Sequence, residues 1–138
     1  MNKKIVCFLA TIFILTSTFP LISQEEDSQE NDEEAENQVL RSYRRNFARG
    51  NLSTKMKIIR DAAEGNGEEM GELYLQAVDF YLDNINSLRN DATAIELAGL
   101  AVEYIGEAGY RAGSSRLWKL FRESDHPGIK VGVMHSLG

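Results

Sequence analysis

From Gln38 onward, apolar residues recur every three or four positions, and no stretch alternates with the period of two expected of a half-buried strand. Val39, Leu40, Tyr43 and Phe47 make one stripe, ended by Gly50. Leu52, Met56, Ile59 and Ala63, with Ile58 and Ala62 alongside, make a second, ended by Gly65-Asn66-Gly67. Met70, Leu73, Tyr74, Ala77, Val78, Tyr81, Ile85 and Leu88 predict one longer helix. Ala94, Leu97, Ala98, Ala101, Val102 and Ile105 predict a fourth, capped by Asn90 or Asp91 and bounded by Gly106 and Gly109. Leu117, Trp118, Leu120 and Phe121 mark a fifth, with Ser114 or Ser115 as its cap. Asp125-His126-Pro127 opens a sixth, because proline suits a first helical turn, and its apolar positions are Ile129, Val133, Met134 and Leu137. The pattern predicts an all-α domain over residues 38–138.

Six amphipathic helices joined by a few residues each should pack antiparallel, neighbour against neighbour. That leaves a compact bundle or a stack of helical hairpins. An internal echo favours the stack. Ile105-Gly106 recurs as Leu137-Gly138, and the same shift sets Leu97 on Ile129, Leu100 on Gly132 and Ala101 on Val133. The interval falls in the range of stacked helical units.

The region before Gln38 follows other rules. Lys3 and Lys4 precede the apolar run Ile5–Leu15, and Thr16–Ser23 is mildly polar and contains Pro20. This is the layout of a cleaved export signal over residues 1–24, and the apolar run is short for a membrane span. An uncleaved anchor is the alternative. Cys7, the only cysteine, sits near the front of the apolar run, not after it where a lipidated cysteine belongs. Residues 25–37 (EEDSQENDEEAEN) hold no apolar residue larger than Ala35, so the segment predicts a disordered, self-repelling acidic linker.

The formal charge of -6 conceals this division. Residues 38–60 carry seven bases and no acid, whereas residues 61–138 carry 13 acids and six bases. The domain over 38–138 is therefore neutral and polarised. The acidic balance argues against a general nucleic-acid binder. Arg41, Arg44, Arg45 and Arg49 fall at helical spacing beside Tyr43 and Phe47, giving a basic first hairpin suited to an anionic partner or membrane surface.

The last fifteen residues, SDHPGIKVGVMHSLG, resemble the second helix of a HEAT-type repeat. Asp125, Pro127, Ile129, Lys130, Val133, Leu137 and Gly138 fill the family's pattern, although Gly132 stands where alanine is usual. Residues 68–106 resemble a degenerate copy lacking Asp-x-Pro, and residues 39–64 a more degenerate one. The resemblance implies an α-solenoid of about three units whose second helices line a concave face that holds other proteins. It also implies that Asp125 pairs with a neighbouring repeat's base. From the residues themselves, Asp125 could cap the sixth helix or pair with Lys130.

No pattern for chemistry accompanies this fold. His126 and His135 lack the HExxH or cysteine partners of a metal site, and Ser114-Ser115 has no elbow motif. Asp79 and Asp83, with Glu68, Glu69 and Glu72, fall on the polar side of their helix and predict a solvated face. No cofactor is expected. The expectation is an exported, non-enzymatic scaffold for a protein partner in the periplasm or cell envelope. Alternatives are an anionic membrane-surface binder and a non-catalytic subunit of an enzyme complex. Ile129, Val133, Met134 and Leu137 are expected to have one side uncovered, which points to self-association through the last helix or to a longer repeat array.

Overall fold

A computed structural model describes residues 38–138, the side chains at 66 and 68 excepted; the expected signal over 1–24 and linker over 25–37 lie outside them. The described residues are helical, and none of them forms a strand. Helix α1 covers 38–49 and α2 Leu52–Asn66, with Gly50 and Asn51 between them. A 3-10 turn, Gly67–Met70, leads into α3 (Gly71–Asp83), which a one-turn α4 (Ile85–Leu88) follows. Helix α5 spans Ala92–Glu107, and a second 3-10 turn, Arg111–Gly113, leads into α6 (Ser114–Glu123) and then α7 (Pro127–Leu137).

Local chemistry sets these ends. The Asn51 side chain accepts a hydrogen bond from Thr54 N at 2.9 Å and starts α2. Asp91 does the same for α5 through Ala94 N, also at 2.9 Å, so of the two expected caps it is Asp91 that acts. Helix α5 runs past Gly106 and is turned by Gly109, whose φ of +60° suits glycine and few other residues. The single long helix expected up to Leu88 is broken at Asn84, which leaves helical geometry at φ -114°, ψ 14°. Its side chain donates to Phe80 O at 2.8 Å and stands in for the lost backbone bond. Apolar spacing alone could not reveal that break, because Ile85 and Leu88 keep the stripe in phase on either side of it.

Two further caps differ from expectation. Neither Ser114 nor Ser115 caps α6: Gly113 holds that position without a side-chain bond, and the Ser114 hydroxyl donates to Arg111 O. Asp125 does not cap α7 either. The cap residue is His126, whose backbone N–H donates to the buried Ser124 hydroxyl oxygen at 3.2 Å, and Pro127 occupies the first turn.

The helices form two layers. Helix α2 packs on α5, and α5 on α7; α3 packs on α6. Helix α1 joins the α3 side through the Phe47 and Phe80 rings, edge to face with centroids 6.2 Å apart. Helices α3 with α5, and α6 with α7, tie the layers together. Between them lie Phe47, Ile59, Leu73, Tyr74, Tyr81, Leu97, Leu117, Leu120, Ile129 and Val133, all essentially without exposed surface. Each such side chain contributes roughly 1.5–3 kcal/mol by leaving water.

Helices α5 and α7 approach closely at Gly106. A Cβ added at Gly106 would stand 3.0 Å from the Cα of Ser136 and 2.8 Å from its hydroxyl oxygen. Ser136 uses that proximity, its hydroxyl lying 2.7 Å from Val102 O and 3.1 Å from Gly132 O. Ile129 and Val133 are therefore buried, and the expectation that they stand uncovered is corrected: the small residues of α5 bring its backbone close enough to cover them. Of the four residues named for that face, Met134 alone is broadly exposed, and Leu137 is half-buried.

Candidate docking surfaces

The seven bases of residues 38–60 meet different fates. Arg44 pairs with Glu72 across to α3 at 2.5 Å, Arg60 pairs with Glu96 on α5 at 2.6 Å, and Lys57 pairs with Asp61 one turn along α2. Lys55 is buried. Its ammonium donates to Phe47 O at 2.5 Å and Gly50 O at 2.8 Å, and sits 4.7 and 4.8 Å from the ring centroids of Phe47 and Phe80. It thus closes the carbonyl end of α1, where a cation opposes the negative helix terminus, inside an aromatic niche. Burial lowers its pKa from the ordinary lysine value.

Arg41, Arg45 and Arg49 remain exposed, spaced by four along α1, and none forms an ion pair among the described residues. The four arginines expected to act together are thus three, with Arg44 committed to Glu72. The acids expected to form a solvated face are partly engaged as well, since Asp79 pairs with Arg116 at 3.4 Å. These pairs are exposed, and each contributes at most about 1 kcal/mol.

The residues of the C-terminal motif take separate places. Asp125 pairs with Arg89, in the connection before α5, at 3.1 Å, and not with Lys130. Lys130 places its ammonium 5.4 Å from the centroid of the Phe121 ring. Pro127 opens α7, Ile129 and Val133 enter the core, and Gly138 follows Leu137 with φ +84°.

The largest exposed apolar side chains cluster around α6 and α7. Phe121, Lys130, Val131, Met134 and His135 line a groove of about 320 Å³ between these helices. Trp118 extends the apolar surface, its ring 5.7 Å from that of Phe121. Trp118, Val131 and Met134 are 44%, 57% and 51% exposed, well beyond what packing within the chain would leave on three large apolar neighbours. Lys130 lines the groove itself, and Lys119, Arg122 and Glu123 are exposed on α6. His135 also borders a trough of about 580 Å³ between α5 and α7, where Gly99, Gly128 and Gly132 lie alongside Glu103 and Glu107. Apolar periodicity could place Met134 on this patch but not Trp118, which falls on the apolar stripe of α6, or Val131, which falls outside the stripe of α7.

Among the described residues, no group of three or more histidines, cysteines, aspartates or glutamates is placed to hold a metal ion. No helix among them is long and apolar enough to cross a membrane. Comparison of the chain with known protein families, curated proteins and solved structures finds no match.

Proposed function

We propose that residues 38–138 form a short stack of HEAT-like helical hairpins that holds a protein partner at its α6–α7 end, in an exported chain working in the periplasm or cell envelope. The observation that carries this reading is the groove between α6 and α7, with Trp118, Val131 and Met134 exposed around it. The Lys130 ammonium at the groove favours a partner segment with apolar anchors and an acidic group beside them. Support for the stack comes from the two layers, α1–α3–α6 and α2–α5–α7, which is the layout of hairpins laid side by side. The chain's internal echo agrees: Leu97 and Ala101 on α5, and Ile129 and Val133 on α7, are all buried.

Export rests on the sequence of residues 1–24, with an uncleaved anchor as its alternative. The scaffold is non-enzymatic in this reading. A photo-crosslinking residue at Val131, introduced into the full chain in its native cells, tests the docking surface. The expected result is one adduct of defined mass that disappears when Met134→Glu is added. Adducts of the same pattern from Val131 and from Arg122→Ala controls carrying the crosslinker at Arg49 would contradict it.

A second reading is favoured by the Arg41, Arg45 and Arg49 stripe, which suits anionic lipid headgroups. It predicts salt-sensitive binding of the full chain to vesicles containing phosphatidylglycerol. That binding should be lost in the triple charge reversal R41E/R45E/R49E.

A further inference from the structure

Tyr74, in the first turn of α3, has no exposed surface, and its ring centroid lies 5.4 Å from that of Tyr104 on α5, tilted by 46°. Its hydroxyl forms no hydrogen bond among the described residues. A buried hydroxyl normally finds a partner, and leaving it without one is unfavourable. The residue borders a cleft of about 290 Å³, lined by Ala63, Gly67, Tyr74, Tyr104, Glu107 and Ala108. Gly67 stands next to the buried hydroxyl: a Cβ there would stand 3.9 Å from the Tyr74 oxygen and meet nothing else within 4 Å. The backbone does not demand glycine at this position, since its φ of -51° is ordinary helical geometry.

The cleft is electrically negative. Glu107 is exposed on its wall, and the carbonyl end of α5 terminates there at Ala108. The same surroundings hold the Tyr74 phenol protonated: burial first, then Tyr104 and Glu107, push its pKa up to about 12. An anion is therefore disfavoured. An ammonium group fits all the features together, because it donates hydrogen bonds, balances a carboxylate and is attracted to aromatic rings.

We propose that the cleft between α2 and the end of α5 binds a primary alkylammonium group, with the Glu107 carboxylate providing the counter-charge and the Tyr74 hydroxyl oxygen, covered in the empty cleft, accepting one N–H as the entering ligand displaces what covers it. The methylenes of the ligand lie against Tyr104 and Ala63. The ligand is either a free small amine or the lysine side chain of another protein. This site goes beyond the α6–α7 docking surface and stands without it, because the cleft and the hydroxyl belong to a different part of the fold.

The test is a titration of the full chain, followed through the amide NMR signals of Gly67 and Ala108. The probes are n-butylammonium, n-butanol, butyrate and Nα-acetyl-lysine amide. Butylammonium should shift both signals with a Kd on the order of 1–10 mM, as befits so small a ligand. Butanol should bind about tenfold more weakly and butyrate should cause no saturable shift. Equal shifts with acetyl-lysine amide identify a protein lysine as the ligand, and shifts with butylammonium alone identify a free amine.

Two variants complete the test. Tyr74→Phe should weaken butylammonium about tenfold and raise Tm by a few degrees, since it deletes a buried group that lacks a partner. Gly67→Leu should fill the cleft and abolish the shift at Ala108. Butanol binding as tightly as butylammonium, saturable binding of butyrate, or unmoved Gly67 and Ala108 signals with every probe would overturn the proposal. So would a lower Tm in Tyr74→Phe, which would show that the hydroxyl already has a favourable bond.

Discussion

Two seams of the molecule hold helices together by opposite means. Between α5 and α7 the surfaces are built from small residues: Gly106 meets Ser136, and a single hydroxyl reaches Val102 O at 2.7 Å. Between α1 and α3 the partners are large, the Phe47 and Phe80 rings, and the buried Lys55 ammonium of α2 lies against both. The first seam is secured by close packing, which resists any added atom. The second is secured by hydrogen bonds from that ammonium to the carbonyls of Phe47 and Gly50 at the end of α1. Close-packed seams fail when a side chain is shortened or enlarged. A charge-closed seam fails when one ammonium is removed, even where the volume is kept.

The largest expected effect falls on the packed seam. Ile129→Ala, on α7, should destabilise the chain by about 2–5 kcal/mol in urea unfolding, because a close-packed site collapses only partly around the lost atoms. A loss below about 1 kcal/mol would mean that α7 is loosely seated and that the contrast between the seams is wrong.

Next comes alkaline pH, which acts on α3, the helix that touches both α1 and α5. Tyr74 in the folded chain titrates at about 12, raised by burial first and then by Tyr104 and Glu107, against an ordinary 10.0. Its contribution is fully present below pH 10 and is lost as pH rises from there through 12, by about 2–3 kcal/mol in all. Lys55 has the opposite sign, its pKa being lowered from 10.5, so its own effect on stability is complete near that pH. Chemical denaturation from pH 10.5 to 12 should show a falling stability in the native sequence and a smaller fall in Tyr74→Phe.

Lys55→Met keeps most of the side-chain volume and removes the ammonium. It should cost about 1–3 kcal/mol by removing the ammonium donor from the Phe47 and Gly50 carbonyls. The smallest effect is expected from Asp125→Asn, which breaks the exposed pair with Arg89 and should change stability by less than about 1 kcal/mol. A larger cost would show that Asp125 ties its hairpin to the one before it more strongly than its exposure suggests.

These contrasts explain what could be read from the sequence. The helices over 38–49, 52–66, 92–107, 114–123 and 127–137 follow from apolar spacing, because each buries one stripe and the period of that stripe is set by the helix itself. The Asn84 break was hidden because the apolar stripe continues through it. The fate of the bases was hidden for another reason. Arg41 and Lys55 are equivalent in a charge count, yet one is exposed and the other is buried, and only the placement of α1 against α3 separates them. The arginine cluster was visible as a group of four but reduces to three once Glu72 is brought to Arg44. The α6–α7 groove showed in the sequence only through Met134, and the Tyr74 cleft left no mark there. Trp118 and Tyr74 are ordinary members of apolar stripes and Val131 lies outside one, and their different roles arise from which neighbour happens to cover them.

The proposed stack of hairpins, each stabilised mainly by its neighbours, is to be distinguished from one cooperative bundle. Residue-resolved amide hydrogen exchange on the full chain and on Lys55→Met tests it most directly. The account predicts that the substitution lowers protection in α1 and the start of α2 while α5 and α7 keep theirs within about tenfold. Loss of protection by the same factor in α1, α5 and α7 would contradict it.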